Sequence, residues 1–156
     1  MKQWNGINWA DADEKISEHF TVKEALYLNE WKRLATEADG LTTAVKFSIC
    51  RTADKMDEIR ELLNRPLFVK SWYRPKEYNK LIGGAKESSH MEGLACDFWA
   101  DVNGDGDKTG EDCDAIKEIL KNWLLKLDIR MEDNGPRKRW VHVDLKYPKG
   151  ARYFKP

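Results

Sequence analysis

Apolar side chains recur at helical intervals from Thr43 to Leu63, where Val45, Ile49, Met56, Ile59 and Leu63 form one stripe that Asn64-Arg65-Pro66 closes. This spacing predicts a helix over 43–63. A second is predicted over the stretch FTVKEALYLNEWKRLATEADG, Phe20 to Gly40: Thr21 and Glu24 stand in capping-box spacing, Leu26 and Leu34 fall at helical intervals, and Asp39-Gly40 supplies the stop. The run Cys113 to Leu127, CDAIKEILKNWLLKL, carries the same period and predicts a third. The pattern shortens elsewhere. LFVKSW (Leu67 to Trp72) predicts a strand broken by Arg74-Pro75, followed by a short helix over Lys76 to Ile82 and a loop at Gly83-Gly84. LACDFWA predicts another short strand, and IRMED with WVHVDLK, joined through Asn134-Gly135-Pro136, predicts a terminal β-hairpin. Helices come early and strands late, so the expected class is α+β.

A chain of 156 residues suffices for one compact core, so a single domain over 1–156 is expected, with 1–20 as an N-terminal extension. Seven tryptophans and an aromatic share of 11% argue for a packed interior and against disorder. The formal charge is zero, 27 basic against 27 acidic side chains, which gives no field to draw the chain onto nucleic acid or an anionic membrane. Charge is nevertheless uneven. Residues 87–118 hold ten acidic and two basic side chains, whereas 130–156 hold eight basic and three acidic. Cys50, Cys96 and Cys113 form no CxxC pair and no even framework, so buried free thiols are expected. Neither a signal-peptide apolar run nor a membrane-length segment is present, so a soluble protein made in the cytoplasm is expected. A monomer is expected as well, on no feature of the pattern.

Chemistry concentrates in SSHMEGLACDFWADVNGDGD, Ser88 to Asp107. His90 sits in a Ser/Gly-rich loop, Asp97 on the strand that follows, and His142 between valines on the last predicted strand. Two imidazoles and a carboxylate suit zinc, and a hydrolytic zinc site uses three protein ligands so that one position stays open. Spacing alone is weak evidence, and on that ground polar groups satisfied near a core are the commoner explanation.

Ser88-x-His90-x-x-Gly93-x-Ala95-x-Asp97 resembles the SxHxxGxAxD signature of the zinc D-Ala-D-Ala carboxypeptidase and L-Ala-D-Glu endopeptidase family, whose fold is shared with the hedgehog signalling domain. SWYRPKEYNKLIGGA resembles that family's arginine-bearing segment, and WVHVD its final ligand strand. The resemblance implies N-terminal helices packed on a small, mainly antiparallel sheet, with His90, Asp97 and His142 as zinc ligands. It further implies that Arg74 contacts a substrate carboxylate or helps to polarise the scissile carbonyl. Ser88 becomes a loop-ordering or substrate-side hydrogen bonder, and Gly93 permits the tight turn between ligands.

Many members of the family place the general base three residues before the last histidine, where this chain has Arg139, which cannot accept a proton. Alternation in the hairpin puts Ile129 and Met131 on the core face with Val141 and Val143, leaving Glu132 on the face of His142. Glu132 is therefore the first candidate for the base. Asp133 follows if the register slips by one, and Asp144 shares a strand face with His142.

DVNGDGDKTGED places Asp101, Asn103 and Asp105 at positions one, three and five of a loop, Gly106 at six and Asp112 at twelve, with Asp107 offering its carbonyl at seven. That is the spacing of an EF-hand-type calcium loop, and Asp in place of Glu at twelve resembles the loops of dockerin modules. A helix is expected to begin near Cys113. The alternative is a solvated acidic turn.

The expected function is thus an endolysin-like zinc peptidase acting on peptidoglycan stem peptides, with zinc catalytic and calcium structural. Whether it cuts D-Ala-D-Ala or L-Ala-D-Glu is not legible. A peptidoglycan-binding domain without catalysis, or a calcium-dependent assembly module, is the alternative. Trp72, Tyr73 and Trp140 are candidates for a groove wall, although large aromatics more often belong to a core.

Overall fold

A computed structural model describes residues 2–156. Its spine is the helix α2, Thr43–Leu63, with Thr42 capping the N-terminus through the Val45 amide and Asn64 ending it in the left-handed conformation. Ile49, Ala53, Met56 and Ile59 face inward from it and are fully buried. This is the predicted span.

The helix predicted over the preceding segment is a correction. Only Val22–Leu26 (α1) is helical, opened by a complete Thr21–Glu24 capping box. The chain then turns back on itself as β1 (Tyr27–Leu28) and β2 (Arg33–Leu34), and Glu37–Asp39 forms one 3-10 turn. Helix propagation stops because its carbonyls are taken by distant donors: the Ala25 carbonyl accepts from the Tyr73 amide and that of Leu26 from Ala35. Tertiary structure overrides a compatible local pattern.

After α2 come β3 (Phe68–Ser71), α3 (Lys76–Leu81) and β4 (Ala95–Trp99). The helix expected from Cys113 begins three residues earlier, as α4 over Gly110–Lys121, because Thr109 and Asp112 form a second capping box. It is interrupted at Asn122-Trp123, where the Trp123 amide makes a tighter bond to the Leu120 carbonyl, and α5 (Leu124–Leu127) completes the turn. Ile116, Leu120, Leu124 and Leu127 stay buried across the break.

β5 (Arg130–Glu132) and β6 (Val141–Asp144) form the expected hairpin, and β7 (Tyr153–Phe154) adds an edge strand that the hydrophobic pattern does not signal. The five-stranded sheet runs β3-β4-β6-β5-β7, antiparallel except for the β5–β7 pair, so the class is α+β with a small, mainly antiparallel sheet. Cys96 and Phe98 of β4, Met131 of β5 and Val141 and Val143 of β6 point into one hydrophobic cluster shared with α2 and α4. Ile7, Ile16 and Phe20 belong to the same cluster, so the segment that carries them packs on the core. All three cysteines are free and buried. Among the described residues no helix is long and apolar enough to cross a membrane.

The loop that delivers His90 is seated directly on α2. Gly93 adopts φ +72°, and a Cβ there would meet Ile49 Cγ1 at 2.8 Å and the Val45 carbonyl at 3.1 Å. Thr52 of α2 donates its hydroxyl to the Gly93 carbonyl at 3.0 Å. Gly93→Ala therefore suffers both the left-handed backbone penalty and overpacking, and is expected to destabilise the fold by about 2 kcal/mol or more. Gly6→Ala, with open space around its position, should change stability by less than about 0.5 kcal/mol. Thermal unfolding of the two variants side by side checks this.

Candidate metal centre

Side-chain alternation gives the sheet one apolar face against the helices and one face that carries polar chemistry. Strand register organises that second face into rows. Ser71 pairs with Asp97 and Asp97 with His142. One step beyond the Met131–Val143 pair, Glu132 falls beside His142, and Phe154 pairs with Glu132. The central row thus reads Ser71, Asp97, His142, Glu132, Phe154. A row to one side holds Ala95, Asp144 and Arg130; the row to the other holds Phe68 and Trp99, with Trp140 one step past the Phe98–Val141 pair.

His90 reaches the central row from the one-turn 3-10 segment Ser89–Glu92. Ser88 caps this segment, accepting from the His90 amide, and Gly93 ends it. The His90 imidazole is buried, and its Nδ1–H donates to the Trp72 carbonyl at 2.6 Å. That bond orients the ring and turns Nε2 toward Asp97 Oδ1 at 3.1 Å, where it donates to the carboxylate as an imidazolium and offers its lone pair to a metal when neutral. His142 brings Nδ1 to 2.8 Å from the same oxygen, while its Nε2 lies 3.1 Å from Asp144 Oδ2. Candidate ligand atoms of His90, Asp97 and His142 all lie within 4.8 Å of one another, and among the described residues no other group of three His, Cys, Asp or Glu does so.

The electrostatics follow from burial and pairing. Burial alone would raise the Asp97 pKa, but the two facing imidazoles hold it below the usual carboxylate range. Burial lowers the His90 pKa more than Asp97 raises it. Burial also opposes charge on His142, yet hydrogen bonds to Asp144 and Asp97 override it and push its pKa up to about 9. Asp144, fully buried, resists burial's upward push through hydrogen bonds from His142 and Arg130, and sits at about 2. A trio of two nitrogen donors and one carboxylate, with an acceptor behind each imidazole, fits a borderline-soft divalent cation such as zinc.

The three candidate bases are placed differently. Asp144 has both oxygens engaged, by Arg130 Nε and Nη2 at 2.7 and 2.8 Å, by the Lys146 amide and by Ser89 Oγ. It stands behind His142 and orients it. Asp133 lies in a separate cleft with Asp114 and Lys117, pairing with Lys155 and Tyr153. Glu132 is half-buried on the central row.

Arg74 follows β3, with its amide bonded to the His90 carbonyl at 3.0 Å. Burial lowers its pKa against the opposing pull of Asp97, Tyr78 and Glu132, and its Nε has no hydrogen-bond partner. It lines a cleft of about 420 Å³ between α1 and β3, together with Lys23, Glu30, Lys70, Ser71 and Tyr78. Trp72 and Tyr73 are buried core residues that back this cleft, whereas Trp140 is half-buried on the polar face. Arg139 is exposed, and its carbonyl accepts from Lys70. His19 pairs with Asp57, far along the sequence from the trio.

The loop Asp101–Asp112 turns its side chains onto its own backbone. Asp101 accepts from the amides of Gly104 and Gly106, Asn103 from that of Asp105, and Asp105 from that of Asp107. Asp112 is buried, with its oxygens taken by Val102 and Thr109.

Sequence reasoning overlooked Ser89, Arg130 and Phe154. Ser89 directly precedes His90, and alternation places Arg130 on the face of Glu132, so both were within reach of the pattern. Phe154, whose ring centroid is 6.3 Å from that of His142, depends on a two-residue strand without a local signal. Changing the group behind a metal-binding imidazole typically lowers metal affinity 10- to 100-fold, so Asp144→Asn, which replaces the charged acceptor by a weaker neutral one, is expected to weaken zinc binding by about that factor. Competition with a chromophoric chelator measures it.

A family model described as Peptidase M15 matches residues 18–144, a span that holds Arg74, His90, Asp97, Glu132 and His142. Neither the curated proteins nor the solved structures compared with the chain gave a match. The matched span covers most of the chain and every part of the trio, and the chain belongs to the peptidase M15 family.

Proposed function

We propose that the chain is a zinc-dependent peptidase that cleaves peptidoglycan stem peptides, as an endolysin-like D,D-carboxypeptidase or L-Ala-D-Glu endopeptidase. The observation that supports this most is the His90–Asp97–His142 trio flanked on its own row by Glu132, with Arg74 close enough to feel both carboxylates. Bound zinc supplies a Lewis acid that polarises the scissile carbonyl and makes water more acidic. His90, Asp97 and His142 hold it, and the Trp72 carbonyl and Asp144 keep the two imidazoles aimed.

Glu132 is the base in this reading, since Asp144 is committed to Arg130 and His142 and Asp133 lies in the other cleft. Its carboxylate takes a proton from the attacking water and returns it to the departing amine. Arg74 directs its partnerless Nε toward a substrate carboxylate or the carbonyl oxygen as charge develops there. The cleft between α1 and β3 receives the peptide beside it.

Incubation with purified peptidoglycan should release stem-peptide fragments with new amino groups, identified by mass; a domain that only binds would release none. Elemental analysis should find one zinc per chain, most of it lost in His90→Ala and in His142→Ala. Glu132→Gln should retain zinc and melting temperature while losing roughly 10²–10⁴-fold in rate. Near-normal turnover of that variant would remove Glu132 from the role.

We also propose that Asp101, Asn103, Asp105, Asp107 and Asp112 take calcium as a structural ion. Support comes from the spacing and from Gly106, whose φ of +90° meets the sharp turn such a loop needs. Binding requires Asp112 to exchange its capping bonds for the ion. A ligand held only by the folded state raises the melting temperature by mass action, so millimolar calcium should do so for the native chain but not for Asp101→Ala.

A further inference from the structure

On the polar face of the sheet, one pleat repeat from Asp97 along β4, stands Trp99, about 7 Å away. Its neighbour across the strand pair is Phe68, nearly half exposed. Two ammonium groups are seated on these rings. Lys70 Nζ lies 4.3 Å from the Trp99 ring centroid; Lys108 Nζ lies 4.3 Å from that of Phe68 and 5.8 Å from that of Trp99. The register shift between Val69 and Ser71 adds one residue to β3 there, and that residue is Lys70. Lys70 is further tied to the Arg139 carbonyl at 3.0 Å.

Neither ammonium has a carboxylate within ion-pair distance among the described residues, whereas Lys46, Lys117 and Lys146 each have one. Two cations are thus held within 5.8 Å of the Trp99 ring centroid, one pleat repeat from the metal row, with no carboxylate in direct ion-pair contact. Cation–π seating holds them in place and leaves their outward N–H groups free to donate. Lys70 also lines the cleft that contains Arg74 and Ser71, which places one member of the pair at that cleft.

We infer that Lys70 and Lys108, seated on Trp99 and Phe68, form an anion subsite that takes a free carboxylate of the peptide substrate. The inference rests on the reading of the chain as a stem-peptide peptidase and makes it selective for acidic stem peptides over their amidated forms. An extended peptide advances about 3.3–3.6 Å per residue, so the carboxylate recognised belongs to a residue about two positions from the bond cut. Lys108 lies within the Asp101–Asp112 loop, so the loop contributes directly to this subsite.

The test compares two synthetic stem peptides that differ only in whether their side carboxylates are free or amidated, with native protein, Lys70→Gln, Lys108→Gln and the double variant. The native protein is expected to show a KM about 3- to 10-fold lower for the free acid, a preference that shrinks as salt rises. The double variant should lose the preference through a higher KM for the free acid, with zinc content retained. Equal KM values for both peptides with the native protein, or a preference that survives in the double variant, would overturn the subsite while leaving the peptidase reading intact. A KM raised equally for both peptides would reduce the lysines to general contacts and also overturn it. Cleavage of neither peptide by the native protein would overturn the peptidase reading and the subsite with it.

Discussion

Asp97 is a charge planted on an interior strand between two buried neighbours, Cys96 and Phe98, which anchor β4 to the core. A carboxylate can remain ionised in that position only with partners, and the two imidazoles that face it are those partners. Everything around the centre serves to hold them there. His90 is pinned by the Trp72 carbonyl just past β3, and His142 by Asp144, which is neutralised in turn by Arg130 and hydrogen-bonded by Ser89. The chain of dependencies runs from a backbone carbonyl at one side of the sheet to a guanidinium at the other. Each member satisfies the one before it.

That arrangement explains why the fold and the site were legible to different degrees in the sequence. α2 could be read to its ends because its stripe, cap and stop all agree, and because nothing outside the helix competes for its backbone. The segment after Thr21 failed for the opposite reason: Tyr73 and Ala35 claim the carbonyls that a longer helix would need, and no local pattern reveals donors so distant in the chain. In the centre, His90 and Asp97 lie close in sequence and announce themselves together. Asp144 looked like a possible base because strand alternation gives only its face. Its commitment to Arg130 follows from pairing across β5 and β6, which alternation does not carry. The 101–112 loop was read by spacing, whereas the placement of its Lys108 over Phe68 and Trp99 required the fold.

The sheet divides labour between its faces in a way that the flat charge balance conceals. One face is apolar, packed on α2 and α4; the other carries the titratable groups of the centre, Phe68 and Trp99, and the lysines seated on those rings. Because the period of a strand is two, the same short segment ACDFW sends Cys96 and Phe98 into the core and Asp97 and Trp99 to the polar face.

The seat of the Gly93 turn on α2 has a bearing on any attempt to engineer a hardier version of this enzyme. Val45, Ile49 and Thr52 form the bearing surface under the loop that carries His90, so a substitution that fills space at these positions would be transmitted to an imidazole. The outer side of the same helix, where Phe47 is exposed, has no such connection. Robustness can be sought on one side of a single helix; on the other, each added methyl group would press on the loop that carries His90.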